Sequence, residues 1–129
     1  DYAGLCALQG CYGLVAVTKK NGKLFAVMKN RPADNASLQG MEKDTQAGIL
    51  QEEVEIHTDL VKFRGEAEFE NMNDEARFYY DAGEGWKQIG ISQKLYFKMD
   101  HFTGCRFGLF IYATKEIGGS AGFSEFIYR

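Results

Sequence analysis

Two trios of carboxylates are the first residues to weigh as reagents. Glu52, Glu53 and Glu55 stand almost side by side, and Glu66, Glu68 and Glu70 alternate along a later stretch. Hydrolysis of a glycosidic bond by a carboxyl pair needs two such groups about 5–9.5 Å apart across a cleft. The second trio shares its side of the chain with Lys62 and Arg64, which reads instead as a solvated face with cross-strand ion pairs. His57 and His101 have no cysteine at a metal-binding interval, and HEXXH is absent. Cys6 and Cys11 do not form a CxxC pair. Cys105 follows His101 across a turn-like FTG, and a buried structural thiol is the expectation. No GxSxG elbow, GxGxxG turn or P-loop occurs. On this reading the chain holds no catalytic residue and no metal ligand set. No cofactor is implied, and no run resembles an EF-hand loop for calcium.

Binding chemistry has better material. Pyranose rings present apolar C–H faces, which flat aromatic rings with polar edges can match. Phe110 and Tyr112 fall on one side of the run RFGLFIYAT, whose other side (Phe107, Leu109, Ile111) reads as core. Tyr79 alternates with Phe78 and Tyr80, so that run has aromatics on both faces. Sandwich sheets usually hide one face, so a two-sided aromatic strand implies either a ligand groove or a contact with another domain. Tyr12, Trp86, Phe110 and Tyr112 are the carbohydrate-binding candidates. A single solvent-open face shared by all four would mark a groove, and burial against protein would mark an interface. Trp86, after DAGEG, also has a structural reading, packing over a hairpin turn.

The elements that would position these side chains are strands. YGLVAVTKK and KLFAVMKN flank Asn21-Gly22, a strong hairpin signal. DYAGLCALQ precedes them as a strand from its second residue. The polar stretch 30–46, with the single Pro, reads as a loop. ILQEEVEIHTDL has Leu50, Val54 and Ile56 as its spaced apolar positions, although EKDTQAGILQEEVE also suits a helix by propensity. LVKFRGEAEFE puts Val61, Phe63, Ala67 and Phe69 on one face. NMNDE is a turn, and EARFYYDA, GWKQIG, QKLYFKM, RFGLFIYAT and GGSAGFSEFIYR complete about ten strands, the spacing of an antiparallel sandwich.

Composition agrees. The 129 residues suit one domain, with 15 Gly and 17 Phe and Tyr for strands and tight turns. A net charge of −3 argues against nucleic acid as partner. The longest apolar stretch, GLFIYA, is far short of the roughly 20 residues of a membrane helix. Three cysteines, an odd number, fit a reducing compartment, so a cytoplasmic location is expected. The start within a strand pattern is what an excised or processed piece of a longer chain would show.

Three runs, DYAGLCALQGCYG, FRGEAEFENMNDEARFYYDAGEGWKQIG and HFTGCRFGLFIYATKEIGGSAGF, together resemble one family. It is the C-terminal β-sandwich module of family 43 glycoside hydrolases, the β-xylosidase and arabinofuranosidase group, related to carbohydrate-binding module family 91. The resemblance implies an all-β, antiparallel, concanavalin A-like jelly roll over residues 1–129, with strands of the sandwich and a catalytic propeller preceding it. It implies an accessory role: packing on the propeller, with xylan or xylo-oligosaccharide as a ligand and self-association through open edges. It also carries Phe102, in the HFTG loop, over as a residue at the rim of the catalytic pocket. The sequence departs from the family's ADFDYF at Ala121-Gly122-Phe123-Ser124-Glu125-Phe126, which puts any bracing or cation role of those aspartates in doubt. It also loses the Asn of NYATKE at Ile111.

Overall fold

The computed structural model describes residues 1–9, 11–31, 48–95 and 104–129. Alternation of small and branched apolar residues produces three successive strands, β1 (Tyr2–Gln9), β2 (Cys11–Lys20) and β3 (Lys23–Arg31). The β2–β3 hairpin closes on Asn21 and Gly22 with φ of 50° and 78°, the left-handed pair that a two-residue primed turn requires. Then follow β4 (Ile49–Ile56), β5 (Lys62–Glu68), β6 (Glu75–Asp81), β7 (Lys87–Lys94) and β8 (Arg106–Tyr112). They form two antiparallel sheets, of order β4-β3-β2-β1-β8 and β5-β6-β7. Residues 49–56, which also suit a helix by propensity, are strand. β-branched Ile49, Val54 and Ile56 and the pairing with β3 outweigh the glutamates.

The sheets stack with β1 over β5, β2 over β6, and β3 and β4 over β7. Between them lie Leu5, Ala7, Val15, Ala26, Met28, Ile56, Phe78, Tyr80 and Ile89. Full burial of each large member contributes about 1.5–3 kcal/mol. Two close approaches set the spacing. A Cβ at Gly13 would come within 2.7 Å of the Phe78 ring, so glycine lets β6 seat its aromatic against β2. Gly90 has φ +72° and lies against Met28, and its N–H donates to Glu52 Oε2 at 2.6 Å, joining β7 to β4. At one end a buried polar chain also bridges the sheets. Asn30 Nδ2 donates to Gln93 Oε1, and Gln51 Nε2 donates to Asn30 Oδ1, each at 2.8 Å.

Several expectations are corrected. Of the about ten strands expected over the whole chain, the described residues contain eight. Gln93 and Lys94, read as opening a strand QKLYFKM, belong to β7, and residues 96–103 lie outside the described residues, as do residues 32–47, which take in most of the stretch read as a loop. GGSAGFSEFIYR is not a strand. Gly118, at φ +127°, and Gly119 break the pleat, and Phe123, Phe126, Ile127 and Tyr128 remain exposed instead of alternating into a core. The segment passes Asp1 at Gly119, and Tyr128 tilts onto Phe107. Leu50 is exposed because the β3–β4 register shifts between Met28 and Lys29, turning Leu50 to the side of Lys29. Phe69 is exposed past the end of β5. Leu109 and Ile111, read as core, are 42% and 47% exposed, because β8 lies beyond the edge of the smaller sheet. Phe107 alone of that side is packed against the core, over Gly65 of β5.

Candidate functional site

The antiparallel registers fix what stands on the outer face of the larger sheet. One row reads Tyr112, Tyr2, Thr18, Phe25, Glu55 across the five strands. The next reads Phe110, Gly4, Ala16, Val27, Glu53, and the third Gly108, Cys6, Leu14, Lys29, Leu50. Small residues thus hold the centre, and Leu14, Ala16 and Val27 are buried there beneath Tyr2, Cys6, Tyr12, Phe25, Phe110 and Tyr112. Those six are only partly buried, so this is an aromatic layer with one side open.

The aromatics are ordered against one another. The Tyr2 and Tyr112 rings stack with centroids 5.1 Å apart and planes 21° from parallel. Phe110 and Tyr112 stack at 5.7 Å and 24°. Lys29 Nζ lies 4.6 Å from the Tyr2 centroid, making a cation–π contact. The resulting array runs Lys29, Tyr2, Tyr112, Phe110. Rings this close overlap, so the edges of the stack and the open side of Phe110 are what a ligand meets. Burial, then the neighbouring Tyr2 and Tyr12 phenols, pushes the Tyr112 hydroxyl from 10.0 up to about 12, so it is a neutral donor and acceptor at any physiological pH. Burial also raises the Cys6 thiol, against a lowering bond from the Gly108 backbone.

Carboxylates on this face are already engaged. Glu53 pairs with Lys20, which holds the Lys20 ammonium above its ordinary range. Glu55 pairs with Lys23 at 3.4 Å. With Glu52 bound to the Gly90 N–H, none of the first trio is a free reagent. The second trio follows the solvated-face reading where it lies in strand: Arg64 Nε is 3.1 Å from Glu66, and Arg77 contacts Glu68 and Glu75 at 3.3 and 3.5 Å.

Of the sequence-predicted residues, Tyr12, Phe110 and Tyr112 share the open face. Trp86 does not. It lies on the outer face of the smaller sheet, where the Arg64 guanidinium sits 4.6 Å from the Tyr79 ring and 4.9 Å from the Trp86 ring. Trp86 follows a turn in which Asp81 Oδ1 accepts from the Gly83 and Gly85 N–H groups at 2.8 and 3.1 Å. Phe102 and His101 lie outside the described residues. Tyr2 and Lys29 were not singled out from sequence. Their part depends on pairing the first strand with the last, which no local pattern reveals.

Two open hollows lie elsewhere, at the β2–β3 turn end. The larger, about 450 Å³, runs between Gly22–Leu24 and Glu55–Asp59, and none of the aromatic candidates lines either one. Among the described residues no three His, Cys, Asp or Glu side chains stand together as a metal site.

Comparison with known proteins places this geometry in a family. No curated protein matches the chain. A solved structure titled "Bifunctional GH43-CE", from Bacteroides eggerthii, matches with a TM-score of 0.74 and 38% identity. The match covers 92% of this chain and 14% of that one, so the module corresponds to a small part of a larger protein. The family model described as the beta xylosidase C-terminal concanavalin A-like domain matches residues 1–129, and the chain belongs to that family.

Proposed function

We propose that this module serves a xylan-degrading glycoside hydrolase of the β-xylosidase or arabinofuranosidase type as an accessory domain that holds a xylan chain. Hydrolysis then resides in a catalytic propeller elsewhere in the parent chain, and the module packs on that propeller. The observation that carries the sugar-binding reading is the layer of Tyr2, Tyr12, Phe110 and Tyr112, half-buried on one open face. A purely structural surface would leave less reason for ordered aromatics with a neutral phenol at their edge. The three cysteines, none of them in a disulfide, support a reducing, cytoplasmic setting for the parent enzyme.

Co-sedimentation with insoluble xylan tests this. The folded chain is expected to leave the supernatant, and Tyr112→Ala to stay in it. Retention of the native chain in the supernatant would overturn the sugar-binding reading.

A second reading, a structural or self-associating domain, draws on a different observation. Leu109, Ile111, Phe126 and Ile127 are exposed on and beside β8, which pairs only with β1 among the described residues. Concentration-dependent mass in analytical ultracentrifugation, without sugar binding, would favour it.

A further inference from the structure

We infer that the outer aromatic face selects xylan segments bearing an acidic sugar, with Lys29 as the seat of the uronate carboxylate. The inference rests on the xylan-binding reading above and names the ligand class for that same face. It starts from a lysine with no acidic partner among the described residues. Of the lysines on this face, Lys20 is taken by Glu53 and Lys23, at the turn, by Glu55. Lys29 stands in the third row, between Leu14 and Leu50, and no carboxylate among the described residues pairs with it. Its half-buried side chain instead crosses the small centre of the sheet to bring Nζ within 4.6 Å of the Tyr2 ring.

That placement matters for a ligand. An ammonium has three donors, and contact with a ring face leaves donors free for oxygen. The ammonium lies at one end of the Tyr2, Tyr112 and Phe110 stack, so a saccharide laid along the stack would bring a side group to Nζ. A carboxylate there gains an ion pair in addition to the hydrogen bond, and a neutral substituent gains the hydrogen bond alone. Glu53 and Glu55 of β4 are paired with Lys20 of β2 and Lys23 of β3, so that edge does not repel an anionic chain.

The test is calorimetric titration of the folded chain with xylohexaose and with a xylo-oligosaccharide of equal length carrying one glucuronic acid. An exposed ion pair supports a preference for the acidic sugar of about 3- to 5-fold. About 0.5 M salt should erase it. Lys29→Met should bring the ratio of the two affinities to one, and Lys29→Arg should keep it above one. Equal affinities in the native chain, or a preference that survives in Lys29→Met, would overturn this inference while leaving xylan binding in place. Binding of neither sugar would remove both.

Discussion

Tyr2 and Tyr112 stack at 5.1 Å although they lie near opposite ends of the chain. Their contact is created by the antiparallel pairing of β1 with β8, which sets the two residues directly opposite each other. Lys29 covers the Tyr2 member of that stack and Phe110 extends it from Tyr112. The open face is therefore one coupled unit, and changes within it should not act independently.

Tyr2→Ala removes a ring from the middle of the array and leaves Lys29 without its contact. A stability loss of about 1–2 kcal/mol is expected from the stacking and cation–π contributions together. Tyr2→Phe keeps both contacts and should lose much less. Urea unfolding of the three proteins checks this.

The raised Tyr112 hydroxyl makes an alkaline prediction. Its value is about 12 in the folded chain against 10.0 ordinarily, so the fold favours the neutral phenol. The associated stability is fully present below pH 10 and is lost as pH rises from 10 through about 12. Because the side chain is only partly buried, solvent screening reduces the effect to about 1 kcal/mol. Tyr112→Phe should lose less stability than the native chain over that window. Tyrosinate absorbance should show a late-ionising component that is lost in Tyr112→Phe.

The buried chain Gln51, Asn30, Gln93 should be sensitive to cutting at its centre. Asn30→Ala leaves the buried Gln93 Oε1 without its donor between the sheets and releases the exposed Gln51 amide to solvent. A loss of about 2–3 kcal/mol is expected, measurable by denaturant unfolding. Gln51→Ala, at the more exposed end, should cost less.

Much of the architecture was legible locally. Asn21-Gly22 announced its hairpin, and the alternation in β5 and β8 assigned their faces. What failed needed distant information. A bulge opposite Lys29 turned Leu50 outward, and the limited width of the smaller sheet left Leu109 and Ile111 uncovered. The glycines at 118 and 119 outweighed the aromatic pattern of the last segment, which joins no ladder among the described residues. At the site, the alternation of β8 correctly put Phe110 and Tyr112 together. Nothing local could show that Trp86 belongs to the other sheet or that Tyr2 completes the stack.

That separation of Trp86 is itself testable. Trp86→Ala removes the ring beside Arg64 and should cost about 0.5–1 kcal/mol of stability. Affinity for xylohexaose should stay within about twofold, since distant sites add with small error. A loss of sugar binding in this variant would move the site to the smaller sheet.

The most direct measurement is isothermal titration of the folded chain with xylohexaose, with an arabinan oligosaccharide as comparator and Tyr112→Ala as control. Saturable heat with xylohexaose that disappears in Tyr112→Ala is the expected result. No heat from a folded native sample, or heat undiminished in Tyr112→Ala, would contradict the assignment of this face as a xylan-binding surface.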